Sequence, residues 1–250
     1  MVGESGKQFT TDWYVRAFDR LYPIIYSHRS VEQARREVDF AARVLSLKRE
    51  DTVLDLCCGA ARHLTHLKRK CEHIVGLDYS WFLLQEARKH LCVRIPLVRG
   101  DMRQIPFARC FDVVCNFFTS FGYFMSDEEN ARVLAEINRV LRSVGRFFID
   151  YVNSDYVMNS LVPESKRRSG AFEVVETRWI EDGRVNKRIE VYQKGRLYET
   201  LTESVRLYSP REFQNILETQ GLQIKEFYGD YDGSPLSPAK PRMIVVGRKR

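Results

Sequence analysis

The chain has 250 residues, 44% hydrophobic and 12% aromatic, enough for one sizeable core with an insert and too few for a second full domain. No stretch approaches the roughly 18 uninterrupted apolar residues of a membrane span. Residues 1–12 lack the basic start and apolar centre of a secretory signal, so the expectation is a cytoplasmic protein, monomer or homodimer, without a membrane partner. A formal charge of +7 and a pI near 9.1 raise the question of an acidic partner. The basic clusters at 68–70, 88–90, 166–168 and 248–250 are scattered, however, and aromatic residues do not interleave them as a single-strand groove requires. Nucleic acid is therefore the less favoured partner. The six cysteines show neither zinc-site pairing nor the density of a disulfide scaffold, and His63 and His66 have no further ligand at metal spacing; reduced thiols and no metal are expected.

From Val31 to Leu45 apolar residues recur with the helical period, leaving Arg35, Arg36 and Glu37 on the other face. Then comes a short apolar run from Thr52 to Cys58, closed by Gly59 and followed by a helix pattern through Leu64 and Leu67. The unit repeats: a strand at Ile74 to Leu77, Ser80 capping a helix with Trp81, Leu84, Ala87 and Leu91, and a strand at Leu97 to Arg99. Pro96 fits only the beginning of a strand or an edge strand, since it cannot donate to the ladder. A fourth strand spans Phe111 to Phe117, Ser126 and Glu129 form an SxxE capping box, and a fifth strand runs from Arg146 to Asp150. Strands alternating with helices require a parallel sheet covered on both faces.

From Phe172 to Tyr208 the period changes to two, broken at Asp182-Gly183 and Lys194-Gly195, which predicts a small antiparallel three-stranded insert. A helix beginning at Ser209-Pro210 and two closing strands near Gln223 to Tyr228 and Met243 to Arg248 complete the pattern. The expected fold is α/β, a doubly wound, mostly parallel seven-stranded sheet whose ligand crevice lies at the strands' C-terminal ends.

The segment from Val53 to His63, VLDLCCGAARH, puts an acid at a strand end before a small-residue turn into a helix. A dinucleotide would need GxGxxG, and only Gly59 is present; Asp55 would also repel a pyrophosphate while attracting the ammonium group of S-adenosylmethionine. Asp78 ends the second strand, where it can accept bonds from two ribose hydroxyls, with Tyr79 beside it. Asp101 ends the third, where it can accept from an adenine amino group while Met102 lies against the ring.

Together VLDLCCGAARH, GLDYS, RGDM and FDVVCNFFTSFGYF resemble the successive motifs of class I S-adenosylmethionine-dependent methyltransferases, over most of residues 31 to 150. The resemblance implies a Rossmann-like methyltransferase fold and a donor-binding set. Asp55, Leu56, Cys57, Cys58 and Gly59 would hold the methionine moiety with His63 next to them, Asp78 and Tyr79 the ribose, Asp101 and Met102 the adenine, and Asn116, Phe117 and Phe118 the meeting point with the acceptor. Cys57, Ala60 and Ala61 replace the usual glycine, threonine and glycine, which implies a slightly altered turn.

Residues 1–30 resemble the lid of such enzymes, with Tyr14 and Tyr26 offering ring faces to a sulfonium and Arg29 pairing with the donor carboxylate. The methyltransferase domain would span 31–151 and 209–250, with 152–208 as the acceptor-side insert. The absence of a D/N-P-P-Y/F turn after the fourth strand and the presence of FTSFGYF resemble small-molecule methyltransferases, amine slightly favoured over hydroxyl, with Ser120 and Tyr123 facing the acceptor and Tyr14 and Tyr123 as catalytic candidates. An RNA or protein methyltransferase, and a non-catalytic S-adenosylmethionine-binding protein, are the alternatives. The expected product from the donor is S-adenosylhomocysteine.

Overall fold

A computed structural model describes residues 11–250; the first ten residues of the expected lid lie outside the described residues. Two short helices, α1 (Trp13–Ala17) and α2 (Tyr22–Ile25), lead into α3 (Val31–Leu45), whose bounds are those the periodicity predicts. There follow β1 (Thr52–Leu56), α4 (Leu64–Lys68), β2 (His73–Asp78), α5 (Trp81–His90), β3 (Leu97–Arg99), β4 (Phe111–Asn116), α6 (Asp127–Val140) and β5 (Leu141–Val152). Ser80 and Ser126 cap α5 and α6 through their hydroxyls, as expected. The expected Ser126 box is only half made, because the Glu129 carboxylate accepts from Arg103 instead of returning to the cap. That partner comes from the loop after β3 and has no local sequence signature.

After α7 (Ser154–Ser160) the chain forms β6 (Glu164–Ser169), β7 (Phe172–Glu181), β8 (Arg184–Gln193) and β9 (Arg196–Arg206), then α8 (Pro210–Thr219), β10 (Leu222–Tyr228) and β11 (Arg242–Lys249). The main sheet has seven strands in the order β10-β11-β5-β4-β1-β2-β3, parallel from β5 through β3, with β11 antiparallel to both its neighbours. β3 begins directly after Pro96 and lies at the edge of the sheet. Alternation along β4 and β5 sends Val114, Phe147 and Ile149 into a core under α6 and α8, and Val113, Cys115 and Phe148 into one under α3, α4 and α5. Both faces are thus covered.

The insert has four antiparallel strands, not three. The extra strand, ESKRRS, carries no apolar residue, so it gives no period-two hydrophobic signal; its pairing with β7 holds it. Both expected hairpin turns have two consecutive residues at positive φ, Asp182-Gly183 and Lys194-Gly195. The face of this sheet bearing Val174, Ile189, Val191 and Leu201 packs on Leu21 and Ile25 around α2. The N-terminal helices therefore cover the second sheet.

Arg184 joins the two sheets. It is 6% exposed, and its guanidinium donates to the carbonyls of Phe124 at 3.0 Å and of Gly122 and Tyr123 at 3.2 Å, and through Nε to Ser204 Oγ at 2.7 Å. Gly122 itself has φ +85°, and a Cβ there would meet the Tyr151 ring and the Arg206 carbonyl. Arg184→Met would remove one of the two donors to each of the Gly122, Tyr123 and Phe124 carbonyls, which keep Arg206 N, Trp13 Nε1 and Asn130 Nδ2, at a cost of ~0.5 to 1.5 kcal/mol per lost bond. A fall in thermal midpoint is expected, with Tyr123 displaced; an unchanged midpoint would remove Arg184 from this role.

Candidate active site

The strand order reverses between β1 and β4, and a cavity of about 390 Å³ opens at the C-terminal ends of the parallel strands there. Its floor is the turn that leaves β1. Cys57, Gly59 and Ala61 all lie in the left-handed region, at φ 65°, 53° and 67°. Two of them are positions where the resemblance expects glycine, so the backbone keeps a glycine-like path and bears ~1 to 2 kcal/mol of strain at each. Asp78 fastens this turn, its two oxygens accepting from Gly59 N at 2.7 Å and Ser80 N at 2.8 Å. Burial raises its carboxyl to about 6 against the pull of those amides.

Tyr14, Tyr26, Arg29, Cys57, Cys58, Gly59, His63, Asp78, Tyr79, Asp101, Met102, Phe117, Phe118, Ser120 and Tyr123 all line this one cavity. Asp55, Leu56 and Asn116 do not. Asp55 pairs in register with Gly76 and Cys115 within the sheet, so its side chain enters the interior below the turn, 1% exposed. Its Oδ2 has no hydrogen-bond partner among the described residues. The Asn116 amide donates to the Leu56 carbonyl at 2.9 Å and braces the two strand ends from beneath. These three residues lie beneath the floor, outside the residues that line the cavity.

The remaining residues divide between two ends. At one, Arg103 grips Asp101 at 2.6 Å and Glu129 at 2.5 Å, lies 4.2 Å over the Phe124 ring, and reaches the Tyr14 hydroxyl at 3.3 Å. Although burial pushes the Asp101 carboxyl up, the Arg103 bonds hold it below its ordinary value. At the other end Arg29 is sandwiched between the Tyr26 and Phe118 rings at 3.8 and 3.7 Å and donates to the Tyr22 hydroxyl at 2.8 Å. Phe118 and Thr119, both at positive φ, are held by Asp150, which accepts from Phe118 N through its carboxylate and from Thr119 N through its carbonyl, both at 2.8 Å; the carboxylate also binds Arg242 and Tyr231. The Tyr14 and Tyr123 rings both pack against Trp13, with centroids 6.1 and 5.1 Å away. The Tyr123 hydroxyl is pushed well up by burial and by the nearby Tyr22, Glu203 and Cys57 groups.

His63 stacks on Phe117 at 4.2 Å, and its Nε2 lies 2.6 Å from the buried Glu37 carboxylate. Burial pushes the imidazole down against the pull of the Glu37 carboxylate, which, despite its own burial, His63 first and then Arg62, 2.9 Å away, hold below its ordinary value. Sequence reasoning missed Arg62, although it lies inside the turn motif. It also missed Arg103, Trp13 and Phe18, and the second-sheet residues Lys187, Glu203 and Val205 on the cavity wall. No helix of the described residues is long and apolar enough to cross a membrane.

A methyltransferase-domain family model matches residues 53–145. The chain is 25% identical, over 88% of its length and 96% of the relative's, to dTDP-3-amino-3,4,6-trideoxy-alpha-D-glucopyranose N,N-dimethyltransferase of Streptomyces venezuelae. Its fold is similar to that of the CcbJ methyltransferase from Streptomyces caelestis (TM-score 0.79, 16% identity, 96% of this chain and 99% of that one). It is also similar to that of the sugar N-methyltransferase KedS8 from Streptoalloteichus (TM-score 0.73, 20% identity, 100% and 98%).

Asp55 generates a test of the floor. Burial first, and the charge of Asp78 second, raise its carboxyl to about 8, so it is mostly protonated at neutral pH. A carboxyl with a raised folded-state pKa contributes stability that is full below about pH 4 and is lost as pH climbs to about 8, by at most ~1.4 kcal/mol per pH unit. In Asp55→Asn, which cannot ionise, denaturant titrations should show a flatter stability profile across that window. Parallel profiles would refute the buried, unpaired placement.

Proposed function

On the premise that this chain is a class I S-adenosylmethionine-dependent methyltransferase, we propose that it methylates the amine nitrogen of a small molecule. The donor, when bound, supplies its methyl group as an electrophilic sulfonium. The chain has to hold that donor, aim a nitrogen lone pair at the methyl carbon and exclude water, and such orientation is worth ~7 to 11 kcal/mol.

The cavity residues fit an adenosyl donor. Each Asp78 oxygen is bonded to one amide and retains a lone pair for a ribose hydroxyl. Asp101 and Met102 form the adenine end, with Tyr79 and Tyr14 as its aromatic sides. Arg29 and Arg62 suit the methionine carboxylate; Arg29 Nε is buried and has no partner among the described residues. The turn from Cys57 to Gly59 lies under the methionine chain. In this reading residues 11–30 and 152–208 form one acceptor-side cover, with Ser120 and Tyr123 where donor and acceptor meet.

The observation that carries the amine is the relative in Streptomyces venezuelae, named for a sugar amine and matched along nearly its whole length. A hydroxyl acceptor requires a base within reach of its proton. A neutral amine needs no such base. Size suits a small acceptor, whether amine or hydroxyl: the cavity is about 390 Å³, near the low end of the ~300 to 1,000 Å³ of small-molecule sites.

A product screen with methyl-labelled donor should place the label on amines rather than on alcohols, carboxylates or tRNA; label confined to the latter would overturn the reading. Asp78→Ala should weaken donor affinity in calorimetry about ten- to a hundredfold, as expected for loss of a charge-assisted bond. Unchanged affinity would show the ribose assignment to be wrong. Tyr123→Phe is expected to slow turnover more than it weakens donor binding, and equal turnover would make Tyr123 a packing residue.

A further inference from the structure

Three carboxylates line the cavity: Asp78, Asp101 and Glu203. Asp78 is bonded to the turn amides and Asp101 is gripped by Arg103, both on the donor side. Glu203 comes from β9 of the second sheet, on the face whose neighbours two residues away are Leu201, in the core under α2, and Val205, on the cavity wall. An acid in that inward row stands where the sheet stops packing on α2 and begins to face the cavity.

Its setting is rigid. Lys187 is its direct cross-strand partner in the β8–β9 register, with Nζ 2.5 Å from one Glu203 oxygen. The Tyr26 hydroxyl donates to the other oxygen at 2.5 Å and accepts from Lys187 at 2.5 Å, closing a three-membered ring of bonds. The Glu203 side chain is 14% exposed. Each carboxylate oxygen has spent one lone pair and retains another.

We propose that Glu203 is the acceptor-binding carboxylate, receiving the substrate's amine as an ammonium ion and taking its proton. This rests on the amine reading above. The balance is simple: an N–H proton passes to Glu203 and the freed lone pair forms the N–C bond. The donor's C–S bond breaks with its electrons going to sulfur, and Glu203 returns the proton to water as product leaves. A carboxylate suits this task because an ammonium binds it as a charge-assisted pair, whereas a hydroxyl proton is far too weakly acidic to be taken. The other charged and titratable groups around Glu203 are Lys187, Tyr26, Tyr22, Arg29, Tyr123 and, across the cavity, Asp78.

The test begins with purified full-length chain, labelled S-adenosylmethionine, and matched sets of amino sugars, amino acids and polyamines with their hydroxyl analogues. For the amine that is methylated, calorimetry with S-adenosylhomocysteine present should show E203Q binding it at least about tenfold more weakly, with affinity for S-adenosylhomocysteine itself within about twofold of wild type. Turnover by E203Q should recover towards wild type as pH approaches the amine's own pKa, since solution then supplies the neutral form, and E203D should restore much of the binding at neutral pH. Wild-type amine affinity and pH profile in E203Q would overturn this proposal and leave the amine reading standing. Failure of every amine to be methylated would overturn both.

Discussion

The active-site geometry depends on one guanidinium buried without a carboxylate. Arg184 starts in the second sheet and spends its donors on carbonyls of the loop after β4 and on Ser204. Burying a charge in this way is tolerable only when its hydrogen bonds are met, so the loop cannot drift from the sheet without exposing an unpaired cation to an apolar interior. The two walls of the cavity are consequently held at a set separation, although one belongs to a parallel sheet and the other to an antiparallel one.

On the opposite side of the same loop, Asp150 at the end of β5 does the converse. It is fully buried and gathers Arg242, Tyr231 and the Phe118 amide. An anion on one side and a cation on the other fix a loop whose residues 118 and 119 occupy left-handed backbone without being glycine. The aromatic residues are thus aimed by electrostatic clamps as much as by packing.

Much of this was legible in the residues, and the reasons for the rest are physical. Period and capping place α3, α5 and every strand of the main sheet, because those elements bury one face or two against neighbours close in sequence. The acids after β2 and β3 are readable as site residues since a strand end must open onto the crevice. Asp55 is not, because whether an acid one residue from a strand end faces the crevice or the interior depends on where the turn leaves the sheet. Lys187 and Glu203 look like an ordinary hairpin pair; only the folding of the second sheet over the first, sealed by α2, makes them part of a cavity. Arg103 likewise acquires its meaning from Glu129 and Tyr14, both distant in sequence.

The thiol of Cys57 stands on the cavity floor, its sulfur 3.6 Å from that of Met102. Burial, then the charges of Asp78 and Asp101, push its pKa well above the ordinary thiol value. A thiolate is a soft nucleophile of the kind that attacks alkyl sulfoniums readily. In the proposed function, where a sulfonium lies over this turn, keeping the sulfur protonated guards the chain against alkylating itself.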